Sequence, residues 1–401
     1  VEQDAESLVP TVSVLDAEPV AAAATEPRSD VTRPKDDGGP FHIPSLDGIR
    51  AVSFTTVFLG HAGLGKYVPG YFGLNLFFFL SGFLITTLLR MEYAKTQTIS
   101  FSGFYIRRAF RILPPFYLVL VVASIATAMG LMRNTLTVTA LAFQFGHLTN
   151  YYVVLNGWWT GMAPGTWVYW SLAVEEHFYL AFPLFYLWLS RKVPRGDRQA
   201  MVMLAISAAV LVWRCVLIYG YHVAKERTYV ATDARIDSIL AGCILAVWRN
   251  PVVDRIGFSD RALGYVWLPL GALSILVSLV IRGFTFEQTF RYTLQSFGLL
   301  PFFVAAMRWP ERWPFRALNY AWIRRIGVLS YSMYLMHTSL LWAFEIWLPW
   351  PTAMRSITAY VLLIALGSLI HGCIEIPLGK LRRQWSLGMA KAHAGSAVGG
   401  H

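Results

Sequence analysis

Charge is what this 401-residue chain has least of: 14% of its residues are Asp, Glu, Lys or Arg, where a soluble chain carries about 25%. That shortage speaks against an ordinary soluble domain, because 56% of the residues are hydrophobic and mean hydropathy is +0.48. Cysteine is scarce as well. Cys215, Cys243 and Cys373 each lie inside an apolar run; an odd number in such places argues for buried thiols rather than disulfides, and no metal-ligand spacing is present. No convincing internal repeat is visible, which weakens an inverted-repeat transporter. Acidic residues are outnumbered, giving a net charge of +11 and a pI of about 9.6. Such a balance can mark nucleic-acid binding, but basic residues between apolar blocks more simply mark cytoplasmic loops, and no nucleic acid is expected.

The first 44 residues differ in kind. They hold nine acids against three bases (Arg28, Arg33, Lys35), with much Pro and Ala and no apolar periodicity. The longest apolar stretch there, 20–24, is too short for a signal-peptide core. Residues 1–44 therefore read as a disordered cytoplasmic tail of charge −6, which leaves +17 on the rest. Residues 45–380 read as a membrane domain and 381–401 as a second short cytoplasmic tail. Apolar segments fall near 46–66, 71–90, 112–132, 167–189, 200–221, 232–248, 262–281, 291–309, 326–347 and 356–376, each about the length that crosses a bilayer core. If the weaker stretch 135–155 does not span, twenty-one basic residues fall on one side and seven on the other. The fold expected is all-α: a polytopic helix bundle of about ten transmembrane helices with both termini cytoplasmic.

Ionisable residues inside spans are expensive and usually functional. Arg50 and His61 stand eleven positions apart, so they share one helix face roughly 16 Å apart along the axis, with Asp47 near the same face. Either they form a site, or the arginine snorkels and the histidine is satisfied by a neighbouring carbonyl. Counted from the nearest cytoplasmic basic cluster, His337, Glu175, Glu176 and Arg235 all lie roughly 18–24 Å deep, and Asp233 and Asp237 flank Arg235. Groups from four helices would thus share one layer. Arg214, at similar depth, either belongs to that layer or pairs with Asp237 or Asp233. In FYIRRAFRILPPFY, Arg107, Arg108 and Arg111 precede a span expected to begin at Pro114 and Pro115. Their forks suit phosphates, or they only set orientation.

These pieces, in order, resemble the bacterial membrane acyltransferase family 3, which includes O-acetyltransferases of surface polysaccharides and macrolide acyltransferases. The motifs are SLDGIRAVS with Arg50 and His61, GYFGLNLFFFLSGFLIT (70–86), FYIRRAFRILPPFY, TWVYWSLAVEEHFYLAFPL (166–184), TDARIDSILAGCILA (232–246) and LSYSMYLMH ending at His337. The resemblance covers about 44–380. It implies a multi-pass protein of the bacterial inner membrane that transfers an acyl group, commonly acetyl from acetyl-coenzyme A. Arg50 and His61 match the family's arginine–histidine signature, Arg108 and Arg111 its paired arginines, Glu175 the glutamate after WSL, and His337 the histidine closing its stretch. Asn75 stands where the family often has aspartate. No soluble esterase-like domain is expected after residue 401, so the two-domain subgroup is not expected to be represented.

Acyl transfer to an alcohol needs a base, oxyanion stabilisation and a held donor. The catalytic residues expected are His61 as base, Glu175 to orient it and His337 at the oxyanion or the acceptor. Arg50, Arg107, Arg108 and Arg111 are expected to hold the phosphates of an acyl-coenzyme A, whose thioester arm would reach up the Arg50–His61 stripe. Trp170, Arg235 and Asp237 are the expected substrate-binding residues, for a carbohydrate, glycolipid or macrolide-type hydroxyl acceptor. No metal is expected. A transporter would explain the charged layer equally well but not the motifs; a scaffold that uses the tail is a third reading.

Overall fold

The computed structural model describes residues 43–254, 259–382 and 384, so the two expected tails lie almost wholly outside the described residues. The described residues form helices only: α1 (Pro44–Leu59), α2 (Gly70–Thr96), α3 (Phe101–Ala128), α4 (Val138–Phe145), α5 (Thr149–Asn156), α6 (Trp170–Lys192), α7 (Gly196–Cys215), α8 (Lys225–Val230), α9 (Thr232–Trp248), α10 (Asp260–Ala262), α11 (Leu268–Val280), α12 (Phe284–Gln288), α13 (Phe290–Gly298), α14 (Leu300–Arg308), α15 (Ala321–Trp347) and α16 (Thr352–Ile370). Five stretches among them are long and apolar enough to cross a bilayer: Gly70–Thr96, Phe101–Ala128, Gly196–Gly220, Asp260–Val280 and Thr352–Arg382. The remaining expected spans are helical too, in α1, α6, α9, α13 with α14, and α15. These helices are shorter, broken or charge-bearing, which is why composition alone does not single them out. The stretch 135–155 folds as α4 and α5, each about 12 Å long and too short to cross.

One expectation is corrected in α3. The arginines are expected ahead of a span beginning at Pro114 and Pro115, but the helix begins at Phe101 and continues through both prolines. Proline removes a backbone donor without forbidding a helix whose neighbours hold it. The hydroxyl of Tyr331 on α15 donates to the carbonyl of Ile112 at 2.7 Å, beside the pair. Arg107, Arg108 and Arg111 are therefore helical residues with fixed directions.

Packing centres on α2 and α9. A Cβ at Gly82 would run into the carbonyl of Ile239, and one at Gly242 into that of Phe79; small residues let the two backbones approach. Phe78, Phe79 and Phe83 of α2 are wholly buried, and Phe79 meets Phe303 of α14 with ring centroids 4.3 Å apart. On another side α9 packs against α7, where Arg214 forks onto Asp237 at 2.9 and 2.8 Å and also donates to the Ala234 carbonyl at 2.7 Å. Both side chains are wholly buried. Arg214→Leu would leave a buried carboxylate unpaired, so we expect it to cost about 3–5 kcal/mol of stability. The double variant Arg214→Leu with Asp237→Leu should recover most of that loss, read as the thermal midpoint of the solubilised protein.

Candidate active site

The site is built from α1, α2, α6 and α15, with α3 closing one end. The α1 helix widens into a π-turn over Gly60–Leu64, and Gly63 ends it at φ 89°. Such turns recur at functional positions because they re-aim one side chain; here that side chain is His61. Its Nδ1 lies 3.0 Å from Nε2 of His337 on α15. The Nδ1 of His337 lies 2.7 Å from the carbonyl oxygen of Tyr334, one turn earlier. A carbonyl only accepts, so His337 carries its proton on Nδ1 and offers the Nε2 lone pair to His61 Nδ1–H. The Nε2 of His61 is then left with a free lone pair.

Trp167 covers this pair, with its ring centroid 5.3 Å from that of His61 and nearly perpendicular to it. The loop before Trp167 is tied to α15: Thr338 Oγ1 donates to the Gly165 carbonyl at 2.6 Å, and Ser339 Oγ to that of Pro164 at 2.8 Å. Gly165 stands at φ 83° against the backbone of Ser339, where no side chain fits.

Two cavities run end to end along these helices. One, of about 840 Å³ including its open mouth, is lined by Arg50, Arg108, Arg111, Glu175, Glu176 and Tyr179 among others. The other, of about 680 Å³ likewise including its open mouth, is lined by His61, Trp167, Trp170, Val57, Val68 and Tyr229 among others. Leu74 and Tyr334 line both. The helices α1 and α6 line both chambers and run in opposite directions, α1 entering the arginine chamber at Arg50 and the other at His61, α6 beginning at Trp170 and reaching Tyr179. In the arginine chamber Arg50 pairs with Asp47 at 2.6 Å, and the guanidinium of Arg108 lies 4.7 Å above the ring of Tyr179. Glu175 accepts from Ser81 at 3.1 Å and from Tyr179 at 2.9 Å. Phosphate-bearing anions suit such a chamber, because guanidinium forks match phosphate oxygens.

The acyltransferase domain of family 3 matches residues 43–372. The chain belongs to acyltransferase family 3. It is 28% identical over 359 residues to the peptidoglycan O-acetyltransferase OatA of Listeria monocytogenes, covering 84% of this chain and 56% of that protein. It is 28% identical over 315 residues to the O-acetyltransferase OatA of Staphylococcus aureus, covering 74% of this chain and 50% of that protein. The chain thus spans about half the length of these relatives. No solved structure matches it.

Within this member of acyltransferase family 3 the expected site residues separate. Glu175 does not orient His61; it hydrogen-bonds in the arginine chamber, and His337 takes the place beside the imidazole. With Nε2 engaged as an acceptor and Nδ1–H on the Tyr334 carbonyl, His337 has no free N–H to offer an oxyanion. Arg107 points away from the chamber, 3.4 Å from Glu92. Asp237 is held by Arg214. Arg235 lines neither cavity: its guanidinium lies 3.7 Å over the ring of Tyr292 and donates to Asn75 Oδ1, while Asn75 donates to Gln295 at 2.6 Å. Trp170 does line the histidine chamber. The single polar layer expected is thus two chambers. Tyr334 and Trp167 were not singled out, although Tyr334 lies one helical turn before His337 within LSYSMYLMH. If the tautomers are as argued, diethyl pyrocarbonate should modify His61 at least about tenfold faster than His337 by peptide mass spectrometry, since the free imidazole nitrogen is the reactive one; equal rates would contradict the assignment.

Proposed function

We propose that the chain is a membrane-embedded O-acyltransferase of about ten spans, with both termini cytoplasmic, in a bacterial inner membrane. Its donor is an acyl-coenzyme A, in the simplest case acetyl-coenzyme A, and its acceptor is a hydroxyl of a carbohydrate or related envelope molecule. The observation that carries this reading is the free Nε2 of His61 in a chamber stacked directly on one lined by Arg50, Arg108 and Arg111. Family membership and the names of the two relatives support the same chemistry.

On this reading the arginines hold the phosphates of the coenzyme at the basic face. The acceptor oxygen attacks the thioester carbonyl while His61 Nε2 takes the hydroxyl proton. The carbon–sulfur bond then breaks, and the leaving thiolate recovers the proton. His337 keeps His61 in the tautomer whose Nε2 can accept, much as a buried acceptor fixes the base of a hydrolase. Trp170 lines the acceptor space. Leu74 and Tyr334 stand between the chambers, so the thioester reaches His61 only after these side chains move.

Purified protein in nanodiscs, given labelled acetyl-coenzyme A, should release coenzyme A and label an acceptor. His61→Ala should lower that rate by about 10²–10⁴-fold, the range of general-base catalysis, with the thermal midpoint preserved; undiminished transfer rejects the base assignment. Replacing Arg108 and Arg111 together by Ala should raise KM for the donor by at least about tenfold, consistent with the loss of charge-assisted phosphate bonds, and change KM for the acceptor far less. Flux of substrate across the membrane without acyl loss would favour a transporter.

A further inference from the structure

Four indoles run from the surface to the imidazole. Trp159, 56% exposed, lies 5.9 Å from Trp342 of α15 and 5.2 Å from Trp167, and Trp167 lies 5.3 Å from His61, all between ring centroids. Trp158 braces the group, with its indole N–H 2.9 Å from Glu226 and its ring 5.7 Å from Trp167. The indole N–H of Trp167 is buried and has no hydrogen-bond partner. A buried donor left unmatched costs about 1–3 kcal/mol, and this one belongs to a residue that lines the chamber holding His61.

We propose that Trp159 and Trp342 are the platform on which a pyranose ring of the acceptor stacks, and that the indole N–H of Trp167 receives one of its oxygens as the reacting hydroxyl meets His61. This rests on the acyl-transfer reading and assigns the residues that would hold a ring of its acceptor. Exposed tryptophans also mark membrane interfaces, but a hydrocarbon tail offers nothing to an unmatched N–H. A pyranose brings both complements: a face of polarised C–H groups for the negative face of an indole, and a rim of oxygens for the donor. The aromatic run starts at the surface and ends on the base, so a stacked ring is carried towards the atom that needs its hydroxyl.

The test compares two acceptors with acetyl-coenzyme A as donor: a tetrasaccharide of β-linked N-acetylhexosamine, and glycerol, which has hydroxyls but no ring. The wild-type protein should favour the tetrasaccharide. Trp159→Ala should raise KM for the tetrasaccharide about tenfold more than KM for glycerol, the size of effect expected when one stacked ring is removed. Trp159→Phe should restore much of the difference, and Trp342→Ala should repeat the loss. Wild-type protein that consumes donor without favouring the tetrasaccharide overturns the platform, as does an equal loss on both acceptors. Donor left unconsumed by wild type and His61→Ala alike overturns the acyl-transfer reading instead.

Discussion

A charged side chain inside this bundle has no bulk water to turn to, so another helix must hold it, and these holdings decide which helices meet. The α9 helix shows the rule twice. Asp237 is gripped by Arg214 of α7, while Arg235, two positions earlier and about 200° around the helix, turns towards α2 and α13. There it meets Asn75 and the ring of Tyr292. Among the described residues no carboxylate hydrogen-bonds it; the rings of Phe78, Tyr229 and Trp170 lie within 6.0 Å of the guanidinium. Cation–π attraction of about 2 kcal/mol or more per desolvated contact offsets part of the several kcal/mol that burying such an ion costs. With one face tied to α7 and another to α2, α9 cannot rotate, and the Gly82–Gly242 approach fixes its height.

The same rule explains why His61 is accompanied by a second histidine and not by an acid. Two neutral imidazoles satisfy each other and a backbone carbonyl without any ion, whereas a carboxylate beside His61 would need its own desolvation offset. Glu175 has that offset in the other chamber, where Ser81 and Tyr179 donate to it and Arg108 stands over Tyr179.

The helical class was legible because about twenty consecutive apolar residues have one stable outcome in a bilayer, and the ten expected segments do fall in helices. Boundaries were less so. The apolar pattern starts this span at Pro114 and Pro115, but tertiary packing carries α3 across both from Phe101. Within the site, motif membership picked out His61, His337, Glu175, Arg108 and Arg111, but depth along the membrane normal could not say which of them face one another. Counting residues yields height and no azimuth, so Glu175 was paired with His61 and Arg235 was put in the substrate space. The His61–His337 contact needs α1 and α15 to be neighbours 276 positions apart, which no local pattern encodes. Trp167 was hidden for another reason: its place over His61 is set by a loop tied to α15.

Stacking two chambers on the same helices separates demands that one cavity could not meet. On the reading proposed above, the arginine chamber takes the charged end of the donor, while the other, lined largely by apolar and aromatic side chains, surrounds the base with few competing charges. Leu74 and Tyr334 keep the imidazole among Val57, Val68, Trp167 and Trp170. The hydroxyl of Tyr334 lies 2.6 Å from Ser171 and donates to the Val168 carbonyl at 3.1 Å, bonds of about 1 kcal/mol each, small against the binding energy of a coenzyme-sized ligand. The backbone is a different matter, because α15 also carries His337, whose Nε2 meets His61 Nδ1 at 3.0 Å. On the reading proposed above, the passage must therefore open by rotation of the Tyr334 side chain while α15 stays still. A shift of the helix would leave the Tyr334–His337 bond intact, since both residues ride on α15, but it would part His337 Nε2 from His61 Nδ1 and so loosen the bond that leaves His61 Nε2 free.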